Sequence, residues 1–226
     1  MRLSIIIPAF NESAGIAATL APLQAMRSRG TEIILVDGGS ADTTTQIAAS
    51  LVDRVIERGK GRARQMNAGA ATAHGDALLF LHADSQLPTD ADRSILAALA
   101  TAQFAWGRFD VAIGGKHVML PVVAWFMNRR SRLTGIATGD QGIFMTRAVF
   151  DLVGGFPDQP LMEDVAICKR LKRVGPPVCL RAKITTSGRR WQKHGLWRTI
   201  LLMWWLRLRY ALGASPAEIH RTYYGQ

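Results

Sequence analysis

The sequence predicts an α/β fold, a parallel sheet with helices on both faces. Three observations predict it. Strand-like and helix-like segments alternate through the first half. The strand-like runs end in polar clusters, Asn11-Glu12, Asp37 and Asp84. The 226 residues, 48% hydrophobic and 20% charged, suit one domain with an appendage.

Each element follows from its residues. Leu3–Ile7 is a run apolar but for Ser4, expected of a strand buried on both faces. Asn11 or Ser13 can cap a helix over 14–28 that stops near Gly30. Glu32–Val36 is a second strand, broken by Asp37-Gly38-Gly39-Ser40. Asp42 or Thr43 opens a helix to about Leu51. Arg54–Glu57 is a strand, Arg62–Ala73 a helix, Ala77–Leu81 a strand ending at His82-Ala83-Asp84. Thr89 or Asp90 caps a helix to about Ala102.

The second half is less regular. Phe104–Ile113 reads as a strand, Pro121–Arg132 as an amphipathic helix and Gly142–Thr146 as a short strand. Met162–Arg173 reads as a helix with Glu163 and Asp164 in its first turn and basic residues in its last. That polarity suits the helix dipole. No internal repeat or low-complexity linker occurs.

The net charge is +11, and its distribution is uneven. Residues 1–113 carry 10 basic and 11 acidic side chains, 114–164 carry 5 of each, and 165–226 carry 13 and 1. The excess in the last quarter calls for an anionic partner: phosphate, membrane surface or nucleic acid. Cys168 and Cys179 fit no metal or redox spacing and read as reduced thiols of a cytosolic protein. The opening apolar run stops at Pro8, too short for a signal segment. His117–Met127 is too short to span a bilayer, and Leu196–Leu212 contains Arg198, Arg207 and Arg209. Aromatic and basic residues in the latter suit a membrane interface. They suit a core-packed helix or a dimer contact equally, and His117–Met127 shares the ambiguity.

The common nucleotide and hydrolase loops are missing. No P-loop, dinucleotide fingerprint, HExxH or GxSxG is present. What remains is carboxylates at strand ends, where ligands of open α/β sheets bind. The plainer reading of each polar cluster is a turn or a cap. Asp84 is able to hold a divalent cation through its oxygens. Asp164 is able to take a proton from an attacking hydroxyl, or to act only as a helix first-turn acid.

Four segments together resemble the inverting family 2 glycosyltransferases of GT-A fold. Ser4-Ile5-Ile6-Ile7-Pro8-Ala9-Phe10-Asn11-Glu12 is similar to the family's first motif. The run from Glu32 to Thr44 resembles the second, Gly61–Gly69 the third, and Met162-Glu163-Asp164-Val165 the ED motif. The resemblance covers Ser4 to about Arg173. It implies a Rossmann-like, mostly parallel sheet flanked by helices over residues 1–195. A basic, aromatic-rich amphipathic helical appendage over 196–226 would follow. It implies that Pro8, Phe10, Glu12, Asp37, Arg62 and Asp84 bind a nucleotide sugar, with uridine as the family-level expectation. It makes Asp164 the catalytic base. Gln141, Glu163, Arg190 and Trp191 would meet the acceptor or the diphosphate.

The family's DxD metal motif stands here as His82-Ala83-Asp84. Mn²⁺ or Mg²⁺ would then rest on Asp84, with His194 completing the site. His82 would be a ligand, a donor to phosphate or a packing residue. Arg189-Arg190-Trp191 resembles the end of the QxxRW motif of processive synthases, without its glutamine. An arginine pair there suits a diphosphate; the plainer reading is a solvated basic loop with one packed Trp. His82-Ala83-Asp84 and Gly188–Gly195 also resemble a small bacterial subgroup linked to arsenosugar biosynthesis or radical-SAM gene neighbourhoods. The expected partners are a nucleotide-sugar donor, a small or lipid-linked acceptor, and a membrane surface met through 196–212, with no nucleic acid. The expected location is cytoplasmic, at the inner face of the membrane. A nucleotide-sugar-binding protein without catalysis and a basic membrane or nucleic-acid module are the alternative functions.

Overall fold

A computed structural model describes residues 1–101, 106–189, 191 and 195–225. Among the described residues eight strands form one sheet: β1 Leu3–Ala9, β2 Glu32–Asp37, β3 Arg54–Glu57, β4 Ala77–Phe80, β5 Ser85–Gln86, β6 Trp106–Ile113, β7 Ile143–Thr146 and β8 Val178–Thr186. Their order is β3-β2-β1-β4-β7-β6-β8-β5. The first four are parallel, as expected. β7 runs antiparallel to β4 and β6, and β5 antiparallel to β8, while β6 and β8 are parallel. The sheet is therefore mixed, with six strands in one direction and two against it.

The helices are α1 Ile16–Leu20, α2 Gln24–Ser28, α3 Thr44–Ala48, α4 Arg62–Thr72, α5 Ala91–Ala100, α6 Leu120–Thr134, α7 Arg147–Leu152, α8 Glu163–Val174, α9 Leu196–Ala211 and α10 Pro216–Tyr224. The helix expected over 14–28 is divided. A 3-10 turn, Ala21–Leu23, separates α1 from α2 because Pro22 has no N–H and crowds the preceding turn. Among the described residues, β5, β8 and α7 are the strands and helix that the sequence did not suggest, and the helical appendage expected over 196–226 is divided into α9 and α10. Val178–Thr186 carries Arg181 and Lys183 on its exposed face, which hides an alternating strand among basic residues.

Alternation along the strands splits the core in two. Ile5, Ile7, Ile33, Leu35 and Leu79 face one layer with α1, α2 and α5. Ile6, Ile34, Val36, Leu78 and Phe80 face the other, with α4, α7 and α8. α4 approaches closely because a Cβ at Gly69 would lie 2.5 Å from Ile6 and 2.9 Å from Val36. The C-terminal helices are joined to this body. Leu206 of α9 and Ile219 of α10 pack with Met162 and Val165 at the start of α8.

Candidate active site

The carboxyl ends of β1, β2 and β4 are tied into one floor. Pro8 falls beyond the β1–β4 pairing, which ends at Ile6 and Phe80, so its missing N–H costs no ladder bond there. Gln65 on α4 is buried, and its Nε2 donates to the carbonyls of Ala9 and Val36 at 2.9 and 2.8 Å. The Glu12 N–H donates to Thr44 Oγ1 at 2.8 Å, and the Ser13 N–H to Asp42 Oδ2 at 3.1 Å. Asn11 is at positive φ and exchanges bonds with the Ser40–Ala41 turn. Asp37 is buried, and its carboxylate accepts from the Gly39 and Ser40 N–H groups at 2.9 and 2.7 Å. Its oxygens thus hold the β2–α3 turn, the plainer of the two sequence readings. Phe10 stays exposed at the rim under Lys60 Nζ, 3.9 Å from its ring centre.

On this floor Glu12 and Asp84 share one cation. Arg189 Nη2 lies 2.9 Å from Glu12 Oε2 and 3.8 Å from Asp84 Oδ2. Asp84 and Arg189 also line a cavity of about 450 Å³ between α1 and the ends of β6 and β8. Arg190 and His194 lie outside the described residues. Trp191 is partly buried against Leu120, Val123 and Leu196, so it packs between α6 and α9.

A second group forms beside it. Met162 takes a left-handed conformation, φ +66°, and turns the chain into α8. The two non-glycine residues at positive φ among those described, Asn11 and Met162, each precede a candidate carboxylate. Glu163 is buried and accepts from Arg62 Nη1 at 3.2 Å. Asp164 Oδ2 accepts from the Gly139 N–H at 3.0 Å, and Oδ1 from the Val165 N–H at 2.7 Å. Burial and the adjacent Glu163 push the Asp164 carboxyl up to about 6, against those two N–H bonds and Arg62. Arg130 of α6 lies in the field of Asp164 and Asp140. Its pKa is lowered by burial, and its Nε and Nη2 have no hydrogen-bond partner among the described residues.

His82 settles against this second group rather than beside Asp84. Its Nδ1 lies 3.2 Å from Asp140 Oδ1, and a Cβ at Gly139 would meet its Nε2 at 2.1 Å. His82, Gly139, Glu163 and Asp164 line a cavity of about 10 Å³, large enough for one water. Gln141, expected near acceptor or diphosphate, is fully buried instead. Its Oε1 accepts from the Thr138 N–H, and its Nε2 faces Ser131 Oγ at 3.3 Å, so it shapes the turn that carries Gly139. Sequence reasoning missed Gln65, Gly139, Asp140 and Arg130. Gln65 lies within the Gly61–Gly69 segment, which was its one signal; Gly139, Asp140 and Arg130 lie in no motif, and the neighbouring Gln141 was the nearest pointer to Asp140.

No three His, Cys, Asp or Glu side chains among the described residues converge as a metal cage. Asp84 alone is a hard oxygen donor, which fits a Mg²⁺ or Mn²⁺ held mainly by diphosphate oxygens.

Residues 4–151 match the family described as glycosyl transferase family 2. The beta-monoglucosyldiacylglycerol synthase of Synechocystis sp. is 25% identical over 225 residues, 87% of this chain and 47% of that protein. The undecaprenyl-phosphate 4-deoxy-4-formamido-L-arabinose transferase of Aeromonas hydrophila is 34% identical over 98 residues, 38% of this chain and 30% of that protein. The chain thus spans less than half the length of these relatives. Among solved structures, the mannosyltransferase PcManGT of Pyrobaculum calidifontis, in complex with GDP-Man and Mn²⁺, has a TM-score of 0.64 at 19% identity. The match covers 81% of this chain and 56% of that one. S. aureus TarS 1-349 in complex with UDP-GlcNAc has a TM-score of 0.65 at 17% identity, covering 83% and 58%. These neighbours share the fold, a mixed, mostly parallel GT-A sheet flanked by helices. On the family match, the chain belongs to glycosyl transferase family 2.

Proposed function

We propose that this chain is an inverting glycosyltransferase. It moves a sugar from a nucleoside-diphosphate donor, foremost a UDP-sugar, to an acceptor hydroxyl. One observation carries the reading. Residues distant in sequence, Arg62, His82, Gly139, Glu163 and Asp164, meet at the carboxyl end of a parallel sheet around a buried carboxylate. There the acceptor O–H gives its proton to Asp164. The acceptor oxygen bonds to the anomeric carbon as the bond from that carbon to the diphosphate oxygen breaks. The electron pair leaves on the nucleoside diphosphate, and configuration inverts. Pro8, Phe10 and Glu12 border the nucleoside, and Asp37 shapes the turn beside it. Arg62 and Arg189 offset charge on the diphosphate. A cation at Asp84 would supply further leaving-group stabilisation when bound.

The names of the synthase and the transferase above include a diacylglycerol and an undecaprenyl phosphate. They support a lipid-linked acceptor for this chain, with residues 196–212 of the appendage meeting the inner membrane face from the cytoplasm. In the described residues no helix is long and apolar enough to cross a membrane.

The test is thermal unfolding of the protein with UDP-, GDP- and dTDP-sugars, each with Mn²⁺ and with EDTA. One base should raise Tm, by about 2.7 kcal/mol of stabilisation at a hundredfold excess over Kd. A shift that needs Mn²⁺ supports a cation at Asp84; one that survives EDTA leaves the charge to Arg62 and Arg189. No shift with any nucleotide overturns the reading, and a shift without donor turnover reduces the chain to a binding protein.

A further inference from the structure

We propose that α6 and α9 together form one docking face for an anionic lipid bilayer. This rests on the membrane-facing reading of residues 196–212 and extends it to a second helix and a lipid charge. On α9, Trp197, Leu201, Trp204, Trp205 and Leu208 are all exposed, Trp204 by 69%. Their spacing of four, three, one and three residues is one face of a helix. On α6, Val122, Trp125, Phe126 and Leu133 are exposed at similar spacing, and Trp125 and Phe126 meet edge to face with ring centres 4.9 Å apart. Surface apolar residues are ordinary when scattered and informative when contiguous.

These stripes belong to neighbouring helices. The opposite face of each is buried in a shared cluster of Leu120, Val123 and Leu196, with Met127 and Ile200 against it. Core packing is therefore satisfied already, and the aromatic faces are left over. Burial against the core, one of the three roles open to segment 196–212, applies to Leu196, Thr199 and Leu206, with Ile200, Leu202 and Tyr210 partly buried beside them.

Charge selects the occupant. Neither α6 nor α9 contains a carboxylate; of their arginines, Arg130 turns inward, Arg132 pairs with Asp110 at 2.8 Å and Arg209 with Glu218 of α10 at 3.7 Å, which leaves Arg129 and Arg198 exposed among the aromatics. Arg129 sits in the α6 stripe seven residues from Val122 and is exposed, as is Arg198 beside Trp197. Arg209 lies over the Trp205 ring at 5.0 Å. Aromatic side chains between arginines match the boundary of a bilayer with negative headgroups. A second copy of the same face would bring the exposed Arg129 and Arg198 against like charges, with no carboxylate on α6 or α9 to meet them. The placement also serves the site. The inner face of α6 holds Ser131, which meets Gln141 under the Gly139 turn, and Arg130, which lies in the field of Asp164. A membrane against its outer face would present a lipid-borne acceptor at that end of the molecule.

The experiment is co-sedimentation of the full chain with vesicles of phosphatidylcholine, with and without phosphatidylglycerol, at low and high salt. Binding should require phosphatidylglycerol and weaken with salt. Trp125→Gln/Phe126→Gln on α6 and Trp197→Gln/Trp204→Gln on α9 should each weaken it about tenfold or more. Both variants should keep the wild-type Tm and its shift with nucleotide sugar. Equal binding to neutral vesicles, or no binding, overturns the proposal. Loss only with the α9 variant removes α6 from the face and overturns the two-helix surface. A wild-type dimer that either variant makes monomeric, without vesicle binding, reassigns the face to a second copy. A nucleotide shift without vesicle binding would sink this proposal and leave the transferase standing. Vesicle binding without a nucleotide shift would do the reverse.

Discussion

The two ends of the parallel half of the sheet each hold a carboxylate drawn out of water, Glu32 fully buried and Asp164 half-buried, with opposite results. At the amino end Glu32 accepts from Ser4 Oγ at 2.5 Å and from the His74 N–H at 2.8 Å, and its second oxygen faces His74 Nδ1 at 2.8 Å. Burial alone would raise its pKa; the bonds from Ser4 and His74 outweigh it and hold it below the usual carboxylate range. At the carboxyl end Asp164 has two backbone donors but stands beside Glu163, and burial wins. The difference lies in how many donors face each oxygen and whether a like charge adjoins it. A fully partnered carboxylate locks the fold; an under-partnered one is a proton acceptor poised near neutral pH.

The largest expected effect separates the two ends. Asp164→Asn should lower turnover by about 10²–10⁴ while the nucleotide-induced Tm shift persists. Glu32→Gln should leave turnover per folded molecule near wild type but lower stability by about 1–3 kcal/mol in denaturant unfolding. If Glu32→Gln abolished turnover and Asp164→Asn did not, the contrast would be reversed.

A smaller effect tests the packing under Asp164. Gly139→Ala must displace His82 and move the N–H that bonds Asp164, with an expected loss of up to about a hundredfold in kcat. His82→Ala in the same chain removes the clash and should restore part of it. No recovery would mean that His82 acts on substrate itself.

The smallest effects are in pH dependence. Turnover should fall as pH drops below about 6, where Asp164 gains its proton. In stability the two carboxylates oppose each other. The raised value of Asp164 means that its contribution is full below the ordinary aspartate range and is lost as pH rises through about 6. Asp164→Asn should therefore raise Tm by a few degrees at pH 8 and by little at pH 4. The contribution of Glu32 is present above the ordinary glutamate range and is lost as pH falls through its lowered value. Parallel Tm profiles for wild type, Asp164→Asn and Glu32→Gln from pH 4 to 8 would refute the contrast.

The parallel half of the sheet was legible because β1, β2 and β4 are apolar runs closed by polar turns, a pattern local to each segment. The later strands were not, since β7 pairs antiparallel between distant partners and β8 is masked by its exposed basic residues. At the site, the four motifs marked Glu12, Asp37, Arg62 and Asp164. Gln65 and Gly139 stayed hidden because each acts through a hydrogen bond to chain far from it in sequence, and Arg130 because the Asp164 charge it faces is distant in sequence. Gln141 shows the converse: it was named as a ligand contact and is buried under the turn.

By itself the sequence determined the βα alternation, the family and the basic, aromatic character of the last quarter. Periodicity, turn residues and charge are properties of neighbouring residues and need no fold to be read. Only the tertiary structure decided that His82 turns to Asp140 and that Arg189 reaches Glu12 and Asp84. It also decided that the α6 and α9 aromatics are left facing outward. Those outcomes depend on which distant atoms compete for the same donor or the same apolar space, and packing alone settles that competition.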